Sequence, residues 1–171
     1  MVEDREKLLD DIEEIAREYE AKYGGCAQCV LQAINECLDL NSNATARASS
    51  TLSGGVTDKG DVCGAVTGAL LAIGLVIGRK NVTDGQSGLT DSIRAGRILW
   101  KAFETEFGTC VCKELQEKVA NRSFNLAFPP DYKEWREAGG EQNCPNFVGW
   151  AARLAAEMIL RAQQGSIFDE H

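Results

Sequence analysis

The residues of this chain best suited to chemistry are its seven cysteines, at positions 26, 29, 37, 63, 110, 112 and 144. Thiolates are nucleophiles and ligands for soft metals. The N-terminal sequence MVEDREKLLDD is acidic and unlike a secretory signal, so we expect a cytoplasmic, reducing environment. Because stable disulfides are rare there, seven cysteines favour metal binding or redox chemistry over a structural role.

Five of these cysteines lie where the sequence predicts that a helix begins. They are Cys26 after Gly24-Gly25, Cys63 after the N-cap candidate Asp61, Cys110 and Cys112 after the N-cap candidate Thr109, and Cys144 before Pro145. A helix N-terminus presents free N–H groups and the positive end of the helix dipole, which both favour thiolate. We therefore expect Cys26, Cys63 and Cys144 to converge on one site with at least one of Cys110 and Cys112. We also expect Cys63 to ionise more readily than a free cysteine when a metal or a second thiol shares that site. The other two, Cys29 and Cys37, are interpreted as core residues.

Amphipathic helices must position these thiols. Apolar residues recur at spacings of three and four, which predicts helices over residues 3–23, 26–40, 63–78, 89–107, 110–119 and 145–163, with a short helix around 132–137. No segment shows the sustained two-residue alternation of a strand. We expect a single all-α domain over residues 1–171, folded as a helical bundle.

The segment DVCGAVTGALLAIGLVIG, residues 61–78, is predicted to be the central helix of that bundle. It is almost wholly apolar, but it is at the short end of the roughly 17–25 residues that span a membrane, so we predict a buried helix. Gly64 and Gly68 give this helix small faces that a second helix or a compact cofactor can approach closely. Both glycines are therefore candidate cofactor-binding residues.

The net charge of the chain limits the kinds of partner it can bind. The formal net charge is −8 and no cluster of lysine and arginine interrupts it. This argues against a nucleic-acid partner, because binding to phosphates needs a basic surface. The expected partner is instead a redox protein that the sequence does not identify.

The cysteine pattern also resembles that of a known family. CGAVTG, preceded by an SGG turn, is similar to the signature of the redox-active family named C_GCAxxG_C_C, and GCAQCVLQA, FGTCVCKEL and CPNFVGWAARLAAE match its layout. The resemblance runs from about residue 24 to residue 157. The family's four cysteines correspond to Cys26, Cys63, Cys112 and Cys144, with Cys110 as an alternative for the third.

This resemblance implies a cofactor and a function. It extends to a domain of the split-Soret cytochromes, in which such cysteines hold a two-iron, two-sulfur cluster. It thus implies a [2Fe–2S] cluster and electron transfer, although the haem part does not carry over because the chain lacks C-x-x-C-H. Family members often lie beside transporter genes, which implies a transport system as a partner; a homodimer is a further option.

Two other functions remain open on the sequence. Cys26 and Cys29 have the C-x-x-C spacing at a helix start, which suits a thiol–disulfide enzyme that needs no metal. Four thiolates also suit zinc, in a non-enzymatic module associated with transport. The only histidine, His171, is the last residue and is not predicted to be a ligand. Cys26, Cys63, Cys112 and Cys144 are thus the candidate redox-active thiols, and the candidate metal ligands are these four with Cys110.

Overall fold

The computed structural model describes residues 2–165 and 167–168, so His171 lies outside the described residues. Eight α-helices form within that part of the chain: α1 (Val2–Tyr23), α2 (Cys26–Leu38), α3 (Asn43–Ala48), α4 (Gly64–Ile77), α5 (Ser87–Phe107), α6 (Cys112–Ala120), α7 (Pro129–Glu137) and α8 (Gly140–Gln163). In the same residues β-pairing is limited to one isolated bridge between Val62 and Val111. The prediction of an all-α fold is confirmed.

Helices α1, α2, α4 and α8 pack against one another around a common hydrophobic core. On α1 the buried residues Leu9, Ile12 and Ala16 recur every three or four positions, which places them on one stripe. On α8 the facing residues are mostly alanines, including Ala151 and Ala155, which are fully buried. Small side chains on α8 allow the helix axes to approach closely, which suits the tight bundle.

The central helix α4 is buried over only part of its length. It contacts α2, α5 and α8, and Ala65 and Ala69 in its first turns are fully buried. Near its C-terminal end, however, Leu75 is 42% exposed, and the space beside Gly74 is open. The prediction of a buried central helix therefore holds for its N-terminal part. None of the described helices combines the length and apolar character required to cross a membrane.

Three predicted helix starts are wrong. Helix α4 is N-capped by Cys63 itself and not by Asp61. Helix α6 begins at Cys112, because the Thr109 hydroxyl binds the N–H of Val111 at 3.1 Å and closes a turn ahead of the helix. Cys110, which is predicted to lie in the first turn of this helix, therefore precedes the helix.

The third wrong start is that of α8, which begins at Gly140 and not at Pro145. Gly139 has a φ of +100° and allows the chain to turn into the helix. A Cβ on Gly140 would overlap the ring of Trp135, so this start depends on a glycine. Cys144 consequently lies more than one turn inside α8, and Pro145 interrupts the helix hydrogen bonding there.

We predict that Gly68→Ala destabilises the fold. The added Cβ would lie 2.5 Å from the carbonyl oxygen and 2.9 Å from the Cα of Ala27, both backbone atoms of α2 that cannot turn aside. We expect a loss of about 1–3 kcal/mol in the free energy of unfolding, measured by urea denaturation.

Gly74→Ala is the matched control on the same helix. Its added Cβ would meet nothing within 4 Å, so the higher helix propensity of alanine should stabilise the chain by up to about 1 kcal/mol. Equal effects of the two substitutions would show that α2 and α4 are not packed as closely as described.

Candidate functional site

Four of the cysteines line one cavity of about 480 Å³. Cys26 is the first residue of α2, Cys63 is the N-cap of α4, Cys112 is the first residue of α6, and Cys144 lies within α8. Their sulfurs are close enough that the charges of the other three disfavour ionisation of Cys63. The structure therefore brings together thiols from four separate helices. Of the two candidates for the third cysteine of the set, it is Cys112 that lines the cavity.

Cys110 does not belong to this cavity. Its side chain is 1% exposed and its thiol donates to the carbonyl of Trp100 at 3.5 Å. Its backbone still supports the site, because its carbonyl accepts the N–H of Cys63 at 2.8 Å. The N–H of Cys112 in turn donates to the carbonyl of Asp61 at 2.7 Å. Residue 110 thus positions Cys63, whereas its thiol, a candidate metal ligand from the sequence, points elsewhere.

Gly64 and Gly68 do not line the cavity either. A Cβ on Gly64 would overlap the sulfur of Cys26, and a Cβ on Gly68 would enter the backbone of Ala27. Both glycines therefore serve the packing of α4 against α2. Their effect on the site is indirect: they let Cys26 lie beside the start of α4.

A left-handed turn forms one wall of the cavity. Residues 54–58 have consecutive φ values between +52° and +69°, a conformation that glycine adopts readily and that a β-branched residue such as Val56 rarely does. The turn directs the N–H of Gly54 toward the sulfur of Cys26. A Cβ on Gly55 would lie 2.6 Å from the Cβ of Cys112, so this position also requires glycine. The sequence indicated only a glycine-rich turn here.

Several N–H groups donate toward the cysteine sulfurs and favour their thiolates. The donors are the backbone N–H groups of Gly54 and Ala27 toward Cys26, the backbone N–H of Ala65 toward Cys63, and the side-chain amide of Gln116 toward Cys112 at 3.5 Å. The side chain of Gln116 is held in place because its amide oxygen, Oε1, accepts a hydrogen bond from the backbone N–H of Phe124 at 2.8 Å. Three of the four sulfurs thus face at least one donor.

Burial nevertheless outweighs these donors. It raises the pKa of Cys26 to about 12, with the charge of Glu20 as the next cause. It raises the pKa of Cys63 well above the ordinary 9.0, and the neighbouring thiols add to the effect. With other thiols alone in the site, the expectation that Cys63 ionises readily is therefore wrong, because desolvation disfavours a bare thiolate more than the N–H donors stabilise it. For a site that holds a metal, the expectation stays a prediction.

Glu20 of α1 is a member of the site that the sequence analysis missed. Its carboxyl group lines the same cavity as the four cysteines. Burial raises the pKa of Glu20 to about 7, and the neighbouring thiol of Cys29 opposes this rise. Its Oε2 atom and the Oγ atom of Ser53 are buried and have no hydrogen-bond partner within the described residues. Nothing in the periodicity of α1 distinguishes Glu20 from the helix's other glutamates.

The donor set of the cavity fits a soft metal centre in its chemistry. Four thiols face one space, and N–H groups that stabilise thiolates surround it. As the side chains stand, no three cysteine, histidine, aspartate or glutamate residues in the described part of the chain are gathered into a metal-binding group. Loading would therefore require the thiols to turn toward a common centre.

One family model matches the chain. It is described as "Putative redox-active protein (C_GCAxxG_C_C)", and the match spans residues 24–158. The matched region contains all four cysteines of the cavity, whereas Glu20 precedes it. No curated protein and no solved structure matches the chain.

We predict that Glu20 makes stability depend on pH. Its pKa is about 7 in the folded chain against an ordinary value of 4.5, so the folded state binds this proton more tightly. The resulting stabilisation is complete below about pH 4.5 and is lost as the pH rises to about 7. Glu20→Gln should abolish this loss, so its urea midpoint should fall less than that of the wild type between pH 5 and pH 8.

Glu18→Gln is the control, because Glu18 is an exposed carboxyl on the same helix. Its midpoint should follow the wild type across the same pH range. Parallel profiles for the wild type and Glu20→Gln would mean that Glu20 titrates as an ordinary surface carboxyl.

Proposed function

The chain belongs to the C_GCAxxG_C_C family, and from this premise we propose that its four-cysteine cavity is a redox centre that holds a [2Fe–2S] cluster for electron transfer. One observation carries the proposal. Cysteines from four helices line a single cavity in which N–H groups are directed toward the sulfurs. Such a site suits an anionic metal–thiolate centre better than it suits four free thiols.

Cys26, Cys63, Cys112 and Cys144 would supply the thiolate ligands. A bound cluster supplies one-electron chemistry, whose potential depends on hydrogen bonds to sulfur and on solvent exposure. The chain provides both influences itself. The N–H of Gly54 and the other donors stabilise negative charge on the sulfurs, and the buried setting of Cys63 excludes water.

The raised pKa values favour a metal centre over a thiol–disulfide enzyme at this cavity. Thiol–disulfide exchange needs a thiolate as the attacking group. Burial and mutual repulsion raise the pKa values of Cys63 and Cys144 well above 9.0, so these thiols stay protonated at neutral pH. A metal cation replaces those protons and supplies the opposing positive charge.

Zinc would satisfy the same electrostatic requirement, since it too binds four thiolates. The family is described as redox-active, which argues against zinc, because zinc has no redox chemistry of its own. The transport system and the homodimer expected from the sequence stay predictions.

We predict that Cys112→Ser loses the cluster and Cys110→Ser retains it. The two cysteines are two positions apart, but only Cys112 lines the cavity. Serine keeps nearly the same size while supplying a poor ligand for a soft metal. The measurement is the iron, sulfide and zinc content of anaerobically purified protein, together with its visible spectrum.

In the wild type and in Cys110→Ser, we expect iron and sulfide in equal amounts and visible charge-transfer bands, which Cys112→Ser should lack. Zinc without iron in the wild type would replace the proposal with a zinc module. Wild-type protein without any metal would favour the dithiol alternative. Equal loss in both variants would return Cys110 to the site.

A further inference from the structure

The carboxyl group of Glu20 has no role in ligation, yet it shares the cavity with the four thiols. Of the three carboxyl groups that line this cavity, Asp58 and Glu141 are exposed, whereas Glu20 is half-buried. Its Oε2 atom is buried and has no hydrogen-bond partner within the described residues. Its charge is felt at the thiols, because it disfavours ionisation of Cys26, Cys112 and Cys144.

We infer that Glu20 is the proton acceptor of the redox centre: when the four-cysteine centre gains an electron, Glu20 gains a proton. The inference rests on the proposed function. An external one-electron donor supplies the electron, and solvent at the mouth of the cavity supplies the proton. The centre gains one negative charge and the carboxylate loses one, so the net charge of the cavity does not change.

The physical reason is the cost of charge in a buried site. An added electron has no counter-charge among the buried groups, and a nearby carboxylate repels it strongly because the local dielectric is low. Protonation of Glu20 removes that repulsion. The carboxyl is suited to this exchange by its position: it lines the cavity, and its buried Oε2 atom has no hydrogen-bond partner within the described residues. Burial also raises the pKa of Glu20 to about 7.

Other titratable groups face the same space, and they differ from Glu20 in exposure or in role. They are Lys22 and Tyr23 of α1, Asp58 of the left-handed turn, Tyr132 and Arg136 of α7, Glu141 of α8, and the four cysteines. Lys22, Tyr23, Asp58 and Tyr132 are exposed at the mouth of the cavity, and Arg136 pairs with Glu141 there. On the side of α2, the thiol of Cys29 donates to the carbonyl oxygen of Gly24 at 3.2 Å, and it lowers the pKa of Glu20.

The test is the reduction potential of the loaded full-length protein, measured as a function of pH by following the visible spectrum. Coupling of one proton to one electron should lower the potential by about 59 mV per pH unit, the equivalent of a tenfold change in proton concentration. In Glu20→Gln the potential should become independent of pH over the same range. A wild-type potential without pH dependence, in protein that carries the cluster, would overturn the inference alone.

Asp58→Asn is the matched control, because it also removes a carboxylate from the cavity wall but from an exposed position. Asparagine tolerates the left-handed conformation at residue 58. This variant should shift the potential by a constant amount and keep its slope. A slope lost in Asp58→Asn and kept in Glu20→Gln would assign the proton to Asp58 and overturn the inference.

Cys29→Ala provides a second readout. The thiol of Cys29 lowers the pKa of Glu20, so removal of the thiol should move the onset of the pH-dependent range to higher pH and keep the slope. An unmoved onset would mean that the titrating group is not Glu20. Absence of a cluster from the wild-type protein would overturn this inference and the proposed function together. A loaded protein whose potential does not vary with pH would overturn only this inference.

Discussion

The close approach of α2 to α4 is the constraint on which the site depends. Gly64 and Gly68 leave no side chain between the two helices, so Cys26 and Ala27 at the start of α2 lie against the start of α4. This contact places the first cysteine beside Cys63. A side chain at either glycine would separate the helices, and the cavity would lose the pairing of its two innermost thiols.

A second constraint holds the other cysteines to the same place. The backbone bridge between Val62 and Val111 ties the start of α4 to the start of α6, and so fixes Cys63 and Cys112 side by side. The left-handed turn over residues 54–58 then closes the wall between Cys26 and Cys112. Its unfavourable conformation at Val56 persists because hydrogen bonds on both sides hold the segment. Backbone strain at a wall of thiols is consistent with a functional role for the cavity.

The electrostatics of the cavity follow from this geometry. Burial raises the pKa of the four thiols and of Glu20, because a negative charge is poorly solvated in this space. At the thiols, repulsion from neighbouring negative charges adds to the rise. The N–H donors offset only part of that cost. The four thiols of the empty site are therefore protonated at neutral pH, and metal cations would supply the positive charge that their thiolates need.

The local sequence determined the helices and the set of cysteines from which the site is built. Apolar periodicity is strong in α1, α2 and α5, so their existence and approximate bounds could be predicted, and the glycine after α1 marked its end. The starts of α6 and α8 were predicted wrongly. Thr109 closes a turn ahead of α6, where Val111 also pairs with Val62, and Gly139 turns the chain into α8 well before Pro145, beside the ring of Trp135. Only the tertiary structure distinguished Cys112 from Cys110 and brought Glu20 to the thiols. Whether a side chain enters the cavity depends on which side of its backbone faces that space. The packing of residues far apart in sequence determines this orientation.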